Sequence, residues 1–457
     1  MEGNMIQEKV QKQRDFFNTG ETKSYAYRLF MLKTLREGIL HFQDEINEAL
    51  MADLHKSAFE TYMSETGVVL AEITHTIKHL KKWMKPKRVS TPLPLFLAKS
   101  FTLAEPYGVV LIMSPWNYPF QLALDPLVGA IASGNTAIVK PASYAPHTSL
   151  IIEKLIEYCF QPEYITTVLG GREENTLLLE QRFDYIFFTG STSVGRLVME
   201  KASVNLTPIS LELGGKSPCI IDDNVGLKLV ARRVAFGKFL NAGQTCVAPD
   251  YVYMKKSQVE EFVSYVKQEI ISFFGDNPLE SPELPKIINT KHLTRLLGLI
   301  EGEMIVLGGK HNETMLEPTV VTGITPQSKV MSEEIFGPIL PILTYDKIEE
   351  VYNYVLSQPK PLALYLFTND KKLEKEVLSK LSFGGATIND TIMHFATTEM
   401  GFGGVGDSGI GKYHGKNSFD TFSNIRGIVK RSNLVDLPMR YHPYTKSKFN
   451  LLKKFLK

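Results

Sequence analysis

Residues 185–202 read YIFFTGSTSVGRLVMEKA: an apolar run, a glycine, three small hydroxyl residues, then apolar positions three and four apart. The spacing predicts a strand over Tyr185–Phe188 and a helix over Val194–Ala202. Between them, Gly190 and Gly195 frame a turn with little side chain. Such a turn lets backbone N–H groups approach a phosphate at a helix N-terminus, where the peptide dipoles favour negative charge. Ser191 is equally suited to be an N-cap, and the stretch alone leaves both readings open.

The same alternation extends on both sides. Further strands are expected at Val109–Met113, Thr136–Val139, Ile165–Val168 and Ile209–Leu213, with helices such as Pro146–Cys159 between them. Strands alternating with helices imply a parallel sheet with crossover helices, an α/β fold. In such sheets ligands bind at the carboxyl ends of the strands. There lie Ser114-Pro115-Trp116-Asn117, Lys140 to Ser143, Gly170-Gly171, Thr189-Gly190-Ser191 and Glu212-Leu213-Gly214-Gly215-Lys216. Lys140 could bond ribose hydroxyls or balance phosphate charge, or be simply solvated.

Upstream, Met5 to about Lys82 is helical in pattern, with no chemistry visible in it. Lys85 to Leu97 contains three prolines and is expected to be an extended connection. Downstream, a second α/β region begins at Ser217–Ile221. It continues through strands at Tyr251–Met254, Ile339–Leu343 and Ala363–Phe367, with helices at Leu227–Leu240 and Lys347–Leu356. Thr421–Arg431 alternates like an edge strand. Gly404-Val-Gly406-Asp-Ser-Gly409 matches GxGxxG but opens no strand–helix unit, so it is expected to be a turn.

Asn241 to Asp250, NAGQTCVAPD, places Cys246 on a loop between a helix and a strand, where reactive groups are commonly held. Alone, such a cysteine is as well a small buried apolar residue. Tyr118 and Phe395 are likewise either core or substrate wall.

Length and composition narrow the classes. A chain of 457 residues exceeds one core, so two or three domains are expected. A formal net charge of +2 without a basic block in the main body gives no reason to expect a nucleic-acid partner. Three scattered cysteines suit neither a disulfide framework nor a zinc site, and no metal is expected. With no apolar leader or spanning run, a reducing cytoplasm is the expected compartment. The end, KSKFNLLKKFLK (446–457), has five lysines and no acid around Phe449, Leu451, Leu452, Phe455 and Leu456. It is expected to fold onto its own or a neighbouring subunit, with weak peripheral contact to an anionic membrane as the alternative.

Six stretches together resemble the NAD(P)-dependent aldehyde dehydrogenase superfamily: PWNYPF (115–120), GNTAIVKPA (134–142), FTGSTSVG (188–195), LELGGKSP (211–218), NAGQTCVAPD (241–250) and EEIFGPILP (333–341). GQTCVAPDY, INDTIMH (388–394) and SGIGKYHGK (408–416) resemble its class-three branch, which includes fatty-aldehyde dehydrogenases. The resemblance implies a Rossmann-type cofactor domain from 1–84 and 106–212, and an α/β catalytic domain from 213–416. It also implies a small oligomerisation region from 85–105 and 417–435, a tail from 436–457, and a homodimer.

By the same resemblance Cys246 is the nucleophile, Glu212 the general base and Asn117 the amide that steadies the oxyanion. NAD or NADP is implied as cofactor. The residues expected around it are Ser114, Pro115, Trp116, Lys140, Ser143, Thr189, Gly190, Ser191, Thr192, Ser193, Val194, Gly195, Leu213, Gly214, Glu334 and Phe336. The reaction implied is oxidation of a small-molecule aldehyde to a carboxylic acid. A CoA-acylating variant and a catalytically silent scaffold are the alternatives. Two departures stand out. Ser143 occupies a position that is acidic in many NAD-preferring members, so NADP should be accepted. Gly401 replaces a usual proline, which should loosen a turn.

Overall fold

A computed structural model describes residues 2–455, apart from Phe96, Val435 and Leu437. The described strands form three sheets. Across the first run Gly409–Ile410, Ile209–Glu212, Tyr185–Thr189, Val109–Met113, Thr136–Lys140 and Ile165–Thr167; all neighbours are parallel except Gly409–Ile410, which is antiparallel to Ile209–Glu212. Each expected strand of this sheet is present to within a residue at either end.

The central strand VVLIM (109–113) is apolar throughout because both its faces are covered. Val110 and Ile112 pack with Leu127, Ile131 and Leu35. Val109, Leu111 and Met113 pack on the opposite side with Val10, Leu178 and Val198. The Gln121–Ser133 helix belongs to the first of these layers and is buried on every side, with Pro126 inside it.

The second sheet runs Met304–Leu307, Thr319–Thr322, Ile339–Thr344, Tyr251–Met254, Pro218–Ile221, Ala363–Phe367 and Gly385–Ile388. Only Met304–Leu307 is antiparallel to its neighbour. The third sheet is small and antiparallel: Lys87–Val89, Ala98–Pro106 and Ser423–Arg431. Lys87–Val89 lies within the connection expected to be merely extended, and Ser423–Arg431 lies at an edge, as its alternation suggested. Its pairing with Ala98–Pro106 runs from Ser423 opposite Pro106 to Arg431 opposite Ala98.

The N-terminal helices are Glu2–Thr19, Tyr25–His41, Gln43–Leu54, Ala58–Thr61 and Gly67–Trp83. A π-turn, Tyr62–Thr66, joins the last two. Such a turn holds an extra residue in the helix and re-aims the side chains around it. At the other end, Lys446–Phe455 is helical, with Phe449, Leu451 and Leu452 exposed. Lys448 Nζ donates to the carbonyls of Tyr441 and Pro443. The tail helix is thus tethered to its own lead-in. Leu456 and Lys457 lie outside the described residues. No described helix is long and apolar enough to cross a membrane.

Candidate active site

Strand register builds one rim of the site. Met113 lies opposite Lys140, and Thr189 opposite Glu212, so the loops after four adjacent parallel strands leave the sheet at one edge. Buried Lys140 donates to the carbonyls of Pro141 (2.9 Å) and Gly170 (2.6 Å). Burial lowers its pKa to about 8, against the opposing pull of Glu174. Two of its three N–H groups are thereby used. Ser114 Oγ and Thr189 Oγ1 are buried and find no partner among the described residues. Ser143 is exposed beyond Lys140.

Ser191 is indeed the N-cap of the Thr192–Ser203 helix, accepting from Val194 N at 3.5 Å. Its Oγ also meets Ser193 Oγ at 3.1 Å. Thr192 Oγ1 donates to Asp407 O (3.1 Å), and Arg196 pairs with the Asp407 carboxylate (2.8 Å). The 404–409 stretch is thus a turn that braces this helix start. At Gly195 a Cβ would lie 2.7 Å from Leu213 Cδ2, and at Gly214 one would lie 2.2 Å from Glu334 Oε2. The bare backbone at Gly214 is what lets the Glu334 carboxylate settle there. Burial, and then Asp250, raise the Glu334 pKa to about 8. Phe336 has a φ of 49°, and its ring meets Trp116 edge-on at 5.4 Å, while His292 lies 5.1 Å from the same indole. Pro115 and Trp116 are half-buried.

Cys246 arrives from the other half of the chain. After the Leu227–Phe239 helix, Asn241, Ala242 and Gly243 take φ values of 51°, 52° and 71°. This left-handed turn costs non-glycine residues roughly 1–2 kcal/mol each, so its surroundings must hold it. Gly243 is required there, since a Cβ would lie 2.2 Å from Gly337 O. Glu60 Oε1 accepts from Asn241 N (2.9 Å). Asn241 Nδ2 donates to Asn117 O (2.7 Å), and Asn117 Nδ2 to Gln244 O (2.9 Å). Tyr118 OH and Thr245 Oγ1 are 2.6 Å apart, and Tyr365 OH donates to Val247 O. Asn117 is thereby brought against the turn that carries Cys246. Asp250 closes the stretch, pairing with Lys216 (2.5 Å) and accepting from Ile335 N (2.9 Å) between Glu334 and Phe336.

Cys246 and Glu212 line one cavity of about 400 Å³. Its wall is largely apolar, including Tyr62, Met63, Val68, Leu122, Phe236 and Phe402, and both Tyr118 and Phe395 belong to it. Neither carboxyl oxygen of Glu212 has a partner among the described residues, and burial raises its pKa well above the usual range. Burial pushes the Cys246 thiol up to about 12; Glu334 and Glu212 add to this, while the N–H groups of Cys246 and Val247 oppose it. Buried Cys159 is also pushed up to about 12, so titration does not set Cys246 apart. Its place on the cavity wall and its two N–H neighbours do. At Gly401 a Cβ would lie 2.8 Å from Asn417 Cγ, so the position leaves little room for a side chain. The described residues hold no cluster of metal-ligating side chains.

Several contributors were not expected: Glu60, Tyr365 and His292. Gln244 lies within the NAGQTCVAPD stretch and Tyr365 on an expected strand, but their partners include residues 42 and 118 positions away.

A model of the aldehyde dehydrogenase family matches residues 3–428. The chain belongs to that family. It is 45% identical to the 4,4'-diaponeurosporen-aldehyde dehydrogenase of Staphylococcus aureus, over 99% of this chain and 100% of that one. It is 44% identical to aldehyde dehydrogenase family 3 member B1 of Rattus norvegicus, over 98% of this chain and 96% of that one. A solved structure described as the substrate-bound state of Staphylococcus aureus AldH superposes with a TM-score of 0.97 at 45% identity, covering 99% of each chain. These relatives bear out the resemblance to the class-three branch, and the family's α/β fold is the one seen here. The chain is an aldehyde dehydrogenase, an oxidoreductase acting on the aldehyde group.

Proposed function

We propose that this aldehyde dehydrogenase oxidises apolar aldehydes through a covalent intermediate on Cys246, with NAD or NADP as oxidant. One observation carries the reading: Cys246 and an unpartnered, buried Glu212 share the wall of a single, largely apolar cavity. The residues at the strand ends fit a dinucleotide. They offer a buried ammonium with a spare N–H at Lys140, unpartnered hydroxyls at Ser114 and Thr189, and the N-terminus of the Thr192–Ser203 helix. Lys140, Ser114 and Ser191 would hold the ribose and phosphates; Glu334, Gly214, Phe336 and Trp116 would frame the nicotinamide end. Ser143 presents no carboxylate to repel a 2′-phosphate, so NADP is accepted.

Only the thiolate attacks, so the Cys246 thiol first gives up its proton to solvent. The sulfur then bonds to the carbonyl carbon. The alkoxide so formed is met by the second Asn117 amide N–H and the Cys246 N–H, and losing one such donor costs about 2.7–4 kcal/mol of barrier. A nicotinamide held there would supply the acceptor for the hydride that leaves this carbon, so that Cys246 would be left carrying the acyl group as a thioester. Glu212 then draws a proton from water; hydroxide attacks the thioester, releasing the acid and the Cys246 thiolate.

The same reading assigns 1–84 and 106–212 to the cofactor unit, 213–416 to the catalytic unit, and 85–105 with 417–435 to pairing with a second copy. The exposed tail helix would rest against that copy or an anionic surface. The test of the activity is a panel of aldehydes graded by chain length, assayed with each cofactor for NAD(P)H absorbance and acid product. No absorbance with any aldehyde refutes the oxidation. A preference for NAD above roughly 10³-fold refutes the reading of Ser143.

A further inference from the structure

The helical segment ahead of the first sheet looks purely architectural, yet it sends three charged side chains to the two loops that carry the reaction. Lys56 and Glu65 are both fully buried and pair at 2.5 Å. Lys56 Nζ also donates to Asn117 O at 3.0 Å and lies 4.0 Å from the centre of the Tyr118 ring. Glu65 Oε2 accepts from the N–H groups of Phe120 and Gln121, each at 3.0 Å. Glu65 stands in the π-turn, whose Tyr62, Met63 and Ser64 line the cavity. Glu60, one turn earlier, takes the N–H of Asn241.

An ion pair removed this far from water contributes little net stability over an apolar pair of similar size. Its contacts nonetheless have a clear target. The 117–121 turn is gripped at its first carbonyl and at its last two N–H groups. Asn117 O receives a second donor from Asn241, the residue that Glu60 holds.

We infer that Lys56 and Glu65 are positioning residues for the oxidation, fixing the backbone of the Asn117 turn so that its amide faces the oxygen of the substrate bound to Cys246. The inference rests on the role proposed above for Asn117. It assigns no contact with substrate to either residue. Without Lys56, Asn117 O keeps only the Asn241 donor, and the turn is free to tilt about its Phe120–Gln121 end. The amide then meets the oxyanion off line. The expected loss is less than that for deleting the donor outright, which lies at about 10²–10³-fold in kcat.

The test is a double-mutant cycle between Lys56→Met and Asn117→Ala, read as kcat/KM for the aldehyde, the pre-steady-state burst of NAD(P)H, and the dissociation constant of the cofactor. Lys56→Met should lower the burst rate by about tenfold in the parent and by less than about twofold in Asn117→Ala, since contacting residues couple and distant ones do not. Cofactor affinity should stay unchanged in both. Equal fold losses in the two backgrounds overturn the positioning role while leaving Asn117 in place. Full activity of Asn117→Ala alone overturns Asn117's own role, and the positioning role with it. Should Lys56→Met fail to fold, Lys56→Met with Glu65→Gln removes both charges together and carries the same comparison.

Discussion

Replacing Glu72 with Gln should leave the protein little changed near pH 5 and make it more stable at pH 8. Glu72 is 1% exposed, and its Oε1 accepts from Gly415 N at 2.7 Å, while Oε2 finds no partner among the described residues. Burial raises its pKa from 4.5 to about 7, against the pull of the Gly415 N–H. A folded-state value above the unfolded one means that the native protein holds the proton more tightly. That contribution is complete below pH 4.5, and it is lost as pH rises through about 7. A shift of this size corresponds to roughly 3 kcal/mol of instability once Glu72 is ionised in the native state. Glutamine keeps the acceptor for Gly415 and never ionises, so Glu72→Gln should gain up to about 3 kcal/mol over the parent at pH 8 and under about 1 at pH 5. Urea unfolding midpoints across this range, followed by the fluorescence of the two tryptophans, measure the difference. Trp83 closes the same helix as Glu72 and reports its unfolding directly. An advantage equal at both pH values, or greatest at pH 5, refutes the assignment of the effect to buried ionisation.

Cys246→Ala should abolish oxidation and leave cofactor binding intact, checked by titrating NAD and NADP against intrinsic fluorescence. Glu212→Gln should still give the first burst of reduced cofactor but stall before product release; an unaltered steady-state rate would remove Glu212 from the reaction. Gly243→Ala puts a Cβ 2.2 Å from a backbone oxygen at a φ of 71°, so the loop must move. Its activity should fall by at least about tenfold, with a lower midpoint in thermal unfolding, since backbone strain of this kind costs on the order of 1–3 kcal/mol.

The parts of the fold that could be read in advance are those where burial writes itself into local spacing. Val109–Met113 is a continuous apolar run because helices cover both faces. Pro146–Cys159 has its expected limits because proline starts it and its apolar residues keep a helical period. Gln121–Ser133 passed without notice for the opposite reason: buried on every side, it has no polar face and hence no period to detect. The motif residues announced the site through their glycines, prolines and small polar neighbours. Lys56, Glu60 and Glu65 could not be found that way. Apart from the Lys56–Glu65 pair itself, their partners lie 61, 181 and 55 residues or more away, and along the chain they look like any charged residues. Ser191 shows a milder limit, since a capping hydroxyl and a phosphate contact ask for the same residue at the same place.

The short Gly409–Ile410 strand closes the first sheet by lying against Leu211 and Glu212. The strand bearing Glu212 therefore acquires its second neighbour only once the chain has been made as far as residue 410. Until then that edge offers unpaired N–H and C=O groups to any other extended segment nearby. Nascent chains stalled shortly before residue 409 should consequently be more prone to aggregate than those stalled after residue 431, when the final strand of the small sheet is also available.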